Sequence, residues 1–127
     1  MIGSAKLLVV DDDAGSLFAL ADILSMEGYL VETMSNGQEA LDHLRAADPP
    51  PALIILDLLM PVMDGWQFLA EIKNDPKLSQ LRIPVIIVTA LNGKVDADAI
   101  IRKPIDLERL LQTIGGLLGK SSQLSGR

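Results

Sequence analysis

Residues 7–13 read LLVVDDD: four apolar residues followed without a break by three acids. A run that short, apolar on both faces and bounded by charge, suits a strand buried on both sides of a sheet. Three more runs of the same kind follow: Ala52–Leu56 (ALIIL), Val85–Val88 (VIIV) and Ala99–Ile101 (AII). Tyr29–Met34 (YLVETM) is a fifth and more polar candidate, as an edge strand would be. Between the runs the apolar spacing turns helical. Leu17, Leu20, Ala21 and Leu24 share one helix face. Ala40, Leu41 and Leu44 form a shorter stripe ended by Pro49-Pro50-Pro51, and Phe68, Leu69 and Ile72 mark a third helix after Asp64-Gly65. The last stripe, Leu107, Leu110, Leu111, Ile114 and Leu118, runs to Gly119. Strand–helix alternation with continuously apolar strands predicts an α/β fold with a parallel sheet covered on both faces. Residues 1–119 make one domain, and Lys120–Arg127 (KSSQLSGR) reads as a flexible C-terminal tail.

Composition narrows the function. The 127 residues are 49% hydrophobic, enough for a real core and too many for a disordered segment. Seventeen acids against eleven bases leave a net charge of −6, so direct binding of nucleic acid or anionic lipid is not expected. The chain has no cysteine, which removes disulfides, thiolate zinc sites and cysteine nucleophiles and fits a reducing cytoplasm. MIGSAKLLVVDDD is too short in apolar residues for a signal peptide, and no window reaches the roughly 18 apolar residues of a membrane span.

Open parallel sheets bind ligands beyond the carboxyl ends of their strands. Here the first strand leads into Asp11-Asp12-Asp13, the third into Asp57, the fourth into Thr89, and the last into Lys103-Pro104. Carboxylates, a hydroxyl and an ammonium therefore meet at one sheet edge. Carboxylates about 5 Å apart repel by roughly 3 kcal/mol per pair at an effective dielectric near 20, and a cation relieves this. Oxygen ligands without histidine or cysteine favour magnesium, which commonly sits beside phosphate. Lysine and threonine add donors for phosphoryl oxygens, and an aspartate can take that group as an aspartyl phosphate. The expected chemistry is metal-assisted phosphoryl transfer to an aspartate.

The strings LLVVDDDAG, IILDLLMPVMDGW, VIIVTA and IIRKP, in that order, resemble the four signatures of the bacterial response-regulator receiver domain, over about Lys6 to Leu118. The resemblance implies a flavodoxin-like doubly wound sheet of five parallel strands in the order 2-1-3-4-5. It implies Asp57 as phosphoacceptor, with Thr89 as the switch hydroxyl and Lys103 as the partner of the phosphoryl group. Asp11, Asp12, Asp57 and the backbone carbonyl of Leu59 would hold Mg2+. Pro104 would follow a cis peptide bond, and Pro61 and Asp64-Gly65 would shape the acceptor loop. The implied partners are a sensor histidine kinase or histidine phosphotransfer protein, and a downstream protein target that the sequence does not name. A stand-alone, monomeric switch rather than a general enzyme is the expectation.

Three departures from the family pattern stand out. Only nine residues, Ala90–Asp98, separate Thr89 from the last strand, so the fourth helix should be shortened to about one turn. Ile100 stands where the family often has a tyrosine or phenylalanine. Leu59 and Leu91 flank the acceptor with side chains that cannot orient water, which predicts slow loss of the phosphoryl group.

Blander roles suit other residues. Asp13 is expected to cap the first helix, His43 to lie on the surface, and Trp66 and Phe68 to pack. Two rival functions remain. Asp11 and Asp13, spaced D-x-D, resemble the haloacid dehalogenase-type phosphatases, in which Asp11 would be the nucleophile and Asp13 the acid–base; that reading leaves Asp57 unexplained. A docking module with an inactive site is opposed by the intact set Asp11, Asp12, Asp57, Thr89 and Lys103.

Overall fold

The computed structural model describes residues 5–93 and 95–125, with the backbone alone for 120–125. Five strands, β1 (Lys6–Val10), β2 (Leu30–Met34), β3 (Leu53–Asp57), β4 (Val85–Thr89) and β5 (Ala99–Arg102), form one parallel sheet in the order β2-β1-β3-β4-β5. The strand order reverses between β1 and β3. β3 and β4 are buried along their whole length, whereas β2 is half-exposed as an edge strand. The apolar runs located all five strands, and β3 and β4 end at Asp57 and Thr89 as expected. Asp57 and Thr89 are thus the last residues of their strands and share the sheet's rigidity.

Helices cover both faces. α1 (Ala14–Met26) and α5 (Leu107–Ser125) pack over Leu7, Val9, Ile55, Ile86 and Val88, and α2 (Gly37–Ala46), α3 (Gly65–Asn74) and α4 (Pro76–Leu81) close the other side around Phe68. Each start is capped. Asp13 Oδ2 accepts from the Ser16 backbone N–H at 3.1 Å, as expected, and Asn36 Oδ1 accepts from that of Glu39 at 2.9 Å. Asp64 and Gln67 form a reciprocal capping box. α4 was not anticipated, although Asp75-Pro76 is a readable start signal: Asp75 caps and proline takes the first helical position.

Several expectations need correction. The last helix does not stop at Gly119, because α5 runs on to Ser125. Extending an existing helix adds one hydrogen bond per residue without a new nucleation cost; Gly126 and Arg127 lie outside the described residues. His43 lies at the surface as expected but is paired there, its Nε2 2.8 Å from Glu32 Oε1 with 25% of the side chain exposed. Phe68 is fully buried, but Trp66 is 44% exposed.

The largest difference lies between β4 and β5. The shortened helix expected there is not formed: none of the described residues of 90–98 is helical. A parallel crossover must return along the strand, about 17 Å for five residues. A helix rising 1.5 Å per residue needs about eleven residues for that distance, so nine residues return only in extended form. Side chains hold the connection instead. The Val85 backbone N–H donates to Asp98 Oδ2 at 2.7 Å, Asp98 N donates to Val85 O at 3.0 Å, and Lys73 Nζ lies 3.0 Å from Asp96 Oδ2.

Asp98→Ala should lower stability by about 1 kcal/mol, since it removes the acceptor of a buried strand's first N–H. Asp96→Ala, which breaks only an exposed ion pair, should leave denaturant midpoints unchanged; urea titration of both variants provides the check.

Candidate functional site

The carboxyl ends of the inner strands bring the expected residues together. Asp57 is 9% exposed and Thr89 1% exposed. Asp11 follows β1 and is half-buried; Asp12, beside it, is exposed. One carboxylate oxygen from each of Asp11, Asp12 and Asp57 lies within 4.8 Å of the others. Lys103 Nζ is 3.7 Å from Asp57 Oδ2, an ion pair longer than a hydrogen bond. The Lys103 backbone N–H donates to Thr89 O at 2.9 Å, which ties the ends of β4 and β5, and the Lys103–Pro104 peptide is cis.

Burial is the main influence on Asp57 and raises its pKa above the ordinary aspartate value. Lys103 opposes this, the nearby charges of Asp11 and Asp12 add to it, and the Leu59 backbone N–H helps to hold the carboxylate. Leu59 therefore contributes backbone to the site, while its side chain is 55% exposed. The Asp11 carboxylate is oriented by the Asp13 backbone N–H, which donates to Asp11 Oδ1 at 2.9 Å.

The acceptor side of the site is closely packed. Gly65 N donates to Leu58 O at 2.8 Å, and a Cβ at Gly65 would fall 2.8 Å from Leu58 Cα. Only glycine permits that approach, and it fixes the loop leaving Asp57. Val62 in this loop holds a left-handed φ of 71°. A cavity of about 240 Å³ is lined by Asp11, Asp57 and Lys103 together with the apolar side chains of Val9, Leu20, Ile55, Val88 and Ile105. Its apolar walls were not legible beforehand, because they come from four separate elements and one loop.

The donor set fits a divalent cation. Two direct ligands of magnesium can stand no more than twice a bond of about 2.1 Å apart, so carboxylate oxygens within 4.8 Å need only small adjustments or an intervening water. The phosphatase reading fares worse. Hydrogen bonds from Ser16, its side chain first and its backbone second, hold the Asp13 carboxyl below its ordinary pKa. An aspartate committed as an anionic helix cap is unsuited to donate a proton.

Residues 7–115 match the family model described as the response regulator receiver domain. The chain belongs to the response-regulator receiver family. It is 39% identical over 111 residues to Response regulator PleD of Caulobacter vibrioides, a match covering 81% of this chain and 24% of that protein. It is 35% identical to the transcriptional regulatory protein CpxR homolog of Haemophilus influenzae, over 95% of this chain and 53% of that protein. The chain thus spans about half or less of the length of these relatives. Among solved structures, the signal receiver domain of a signal transduction histidine kinase from Syntrophus aciditrophicus superposes with a TM-score of 0.83 at 34% identity, covering 92% of each chain. Chemotaxis protein CheY4 of Vibrio cholerae superposes with a TM-score of 0.79 at 30% identity, covering 90% of this chain and 98% of that one. This receiver domain is accordingly a signalling module of two-component systems. No helix among the described residues is long and apolar enough to cross a membrane.

A raised pKa means that the folded receiver binds the Asp57 proton more tightly than the unfolded chain. The associated stability is fully present below the unfolded value of 3.8 and is lost as pH rises through the folded value. In chelator, Asp57→Asn should therefore unfold at a higher temperature than the parent at neutral pH. That gain should shrink as pH falls toward 3.8; paired melting curves across pH give the comparison.

Proposed function

We propose that Asp57 accepts a phosphoryl group from the phosphohistidine of a sensor histidine kinase or histidine phosphotransfer protein. The observation that carries this reading is the company of Asp57: carboxylate oxygens of Asp11 and Asp12 within 4.8 Å, and the Lys103 ammonium at 3.7 Å. A carboxylate oxygen of Asp57 attacks phosphorus, the P–N bond breaks, and its electron pair leaves with the imidazole. Lys103 and the Thr89 hydroxyl donate to the phosphoryl oxygens as charge builds on them. Asp11, Asp12, Asp57 and the Leu59 carbonyl would hold Mg2+, which when bound neutralises the acidic cluster and the transferring oxygens. Asp12, the most exposed of the three acids, leaves the cluster open to solvent and to a donor protein.

The chemistry ends on the domain's own aspartate, so the product is a changed protein rather than a released compound. The added charge at the ends of β3 and β4 shifts the population between two arrangements of the loops that follow them. A downstream protein that binds one arrangement better reads the signal. Such an exchange would take place in the cytoplasm.

Acetyl phosphate with magnesium should add the mass of one PO₃ group to the intact protein, and Asp57→Asn should abolish the addition. Unmodified parent protein, alongside a receiver that labels under the same conditions, would refute the assignment. Labelling that survives in Asp57→Asn and disappears in Asp11→Asn would favour the phosphatase reading.

The rim around the acceptor is apolar: Leu59 and Leu91 are 55% and 38% exposed. Neither side chain can orient an attacking water, so hydrolysis of the phosphorylated form should be slow. The double variant Leu59→Asn, Leu91→Glu should lose phosphate several-fold faster than the parent when the decay is followed by mass spectrometry.

A further inference from the structure

Arg102 ends β5, directly opposite Thr89 in the β4–β5 register. Its guanidinium reaches back over the helix-free connection and donates from Nη1 to Leu91 O at 2.5 Å and from Nη2 to Gly93 O at 2.9 Å. The Leu91 backbone N–H donates in turn to Thr89 Oγ1 at 3.0 Å. One residue, Leu91, thus carries both the carbonyl that the Arg102 fork holds and the N–H bonded to Thr89. Gly93, the second anchor, has a φ of +124°, a conformation that L side chains rarely adopt.

The polarity of the bond to Thr89 matters. A hydroxyl has one proton and two lone pairs. Because Thr89 Oγ1 accepts from Leu91, its proton remains available to give. Thr89 is 1% exposed, so neighbouring protein rather than water orients this hydroxyl. In place of a helix, two hydrogen bonds from one planar side chain brace the chain after Thr89. A lysine would carry the same charge as a point donor, without the fork.

We propose that Arg102 is a positioning residue for phosphoryl transfer: by clamping the Leu91 and Gly93 carbonyls, it holds the Leu91 N–H that orients the Thr89 hydroxyl. This inference rests on the phosphoacceptor reading above and names the element that regulates the Thr89 side of that site. A fixed donor costs no reorganisation when charge develops, whereas a mobile one must be ordered during the reaction.

The test compares Arg102→Met and Arg102→Lys with the parent, each in the Thr89 and Thr89→Ala backgrounds. Phosphoryl uptake from acetyl phosphate with magnesium should slow by about threefold to tenfold in both Arg102 variants. It should slow no further in either one when Thr89→Ala is already present, the non-additivity expected of groups acting in series. Arg102 is exposed, so melting temperatures should barely move. Recovery of the parental rate by Arg102→Lys would assign the effect to charge and overturn the proposal. Equal slowing in the Thr89→Ala background would overturn it too.

Amide exchange at Leu91 in unphosphorylated protein tests the clamp apart from the phosphoacceptor assignment. Protection should fall in Arg102→Met, and unchanged protection would refute the clamp. If the parent takes up no phosphoryl group while Leu91 loses protection in the variant, the phosphoacceptor reading fails, and with it the role in transfer, leaving Arg102 as a loop clamp only.

Discussion

The organising constraint is electrostatic: three carboxylates are held within 4.8 Å of one another, with one of them, Asp57, nearly buried. Unfolded, these acids would separate into water. Folded, they are kept together because their backbones belong to strands and helix starts that are stable for other reasons. β1 and β3 are locked side by side by apolar residues on both faces, and the Asp13 cap anchors the turn that carries Asp11 and Asp12. Hydrophobic burial thus sustains the repulsion. Lys103, delivered from β5, offsets part of it and approaches Asp57 without a close hydrogen bond.

The two flanks of the site are built differently. On the Asp57 side the chain leaves a fully buried strand, passes Gly65 at backbone contact distance and enters a helix through a reciprocal capping box. On the Thr89 side it leaves an equally buried strand and enters a connection with no helical turn among its described residues. Of those residues it rests only the partly buried Val95 and Ala97 on the core, and it is held by hydrogen bonds from Arg102 and Lys73 and by the acceptance of the Val85 N–H at Asp98. Segments with few buried apolar contacts open at low free energy. The rigid flank suits fixed attachment of a group; the looser one suits a response to it. Ile100, packed against the core around Phe68, has no ring to swing and no hydroxyl to re-pair, so the response is left to the connection.

Much of this was legible beforehand because the signals are local. Apolar runs ending in polar residues located every strand, and the acids, threonine and lysine at their ends marked the site. Misreadings and omissions arose where neighbours distant in sequence decide the outcome. His43 lies at the surface as its own helix suggests, yet its partner there, Glu32 on β2 at 2.8 Å, was not legible. Trp66 reads as packing by its type, but nothing covers it fully. Lys120–Ser125 has little to bury, yet it continues a helix nucleated on the core. Arg102 drew no attention because a charged residue at a strand end has no distinctive spacing.

What the amino-acid order determined alone was the five strands and four of the helices, their parallel pairing class and the chemical types delivered to one sheet edge. Periodicity and chain length are properties of the polymer, and nine residues are too few for a helical return wherever they occur. The tertiary structure decided distances and directions: how near Asp57 stands to Lys103, which way the Thr89 hydroxyl accepts, and where the Arg102 fork lands. Those depend on the packing of side chains far apart in the chain, where a shift of about 1 Å separates a hydrogen bond from none.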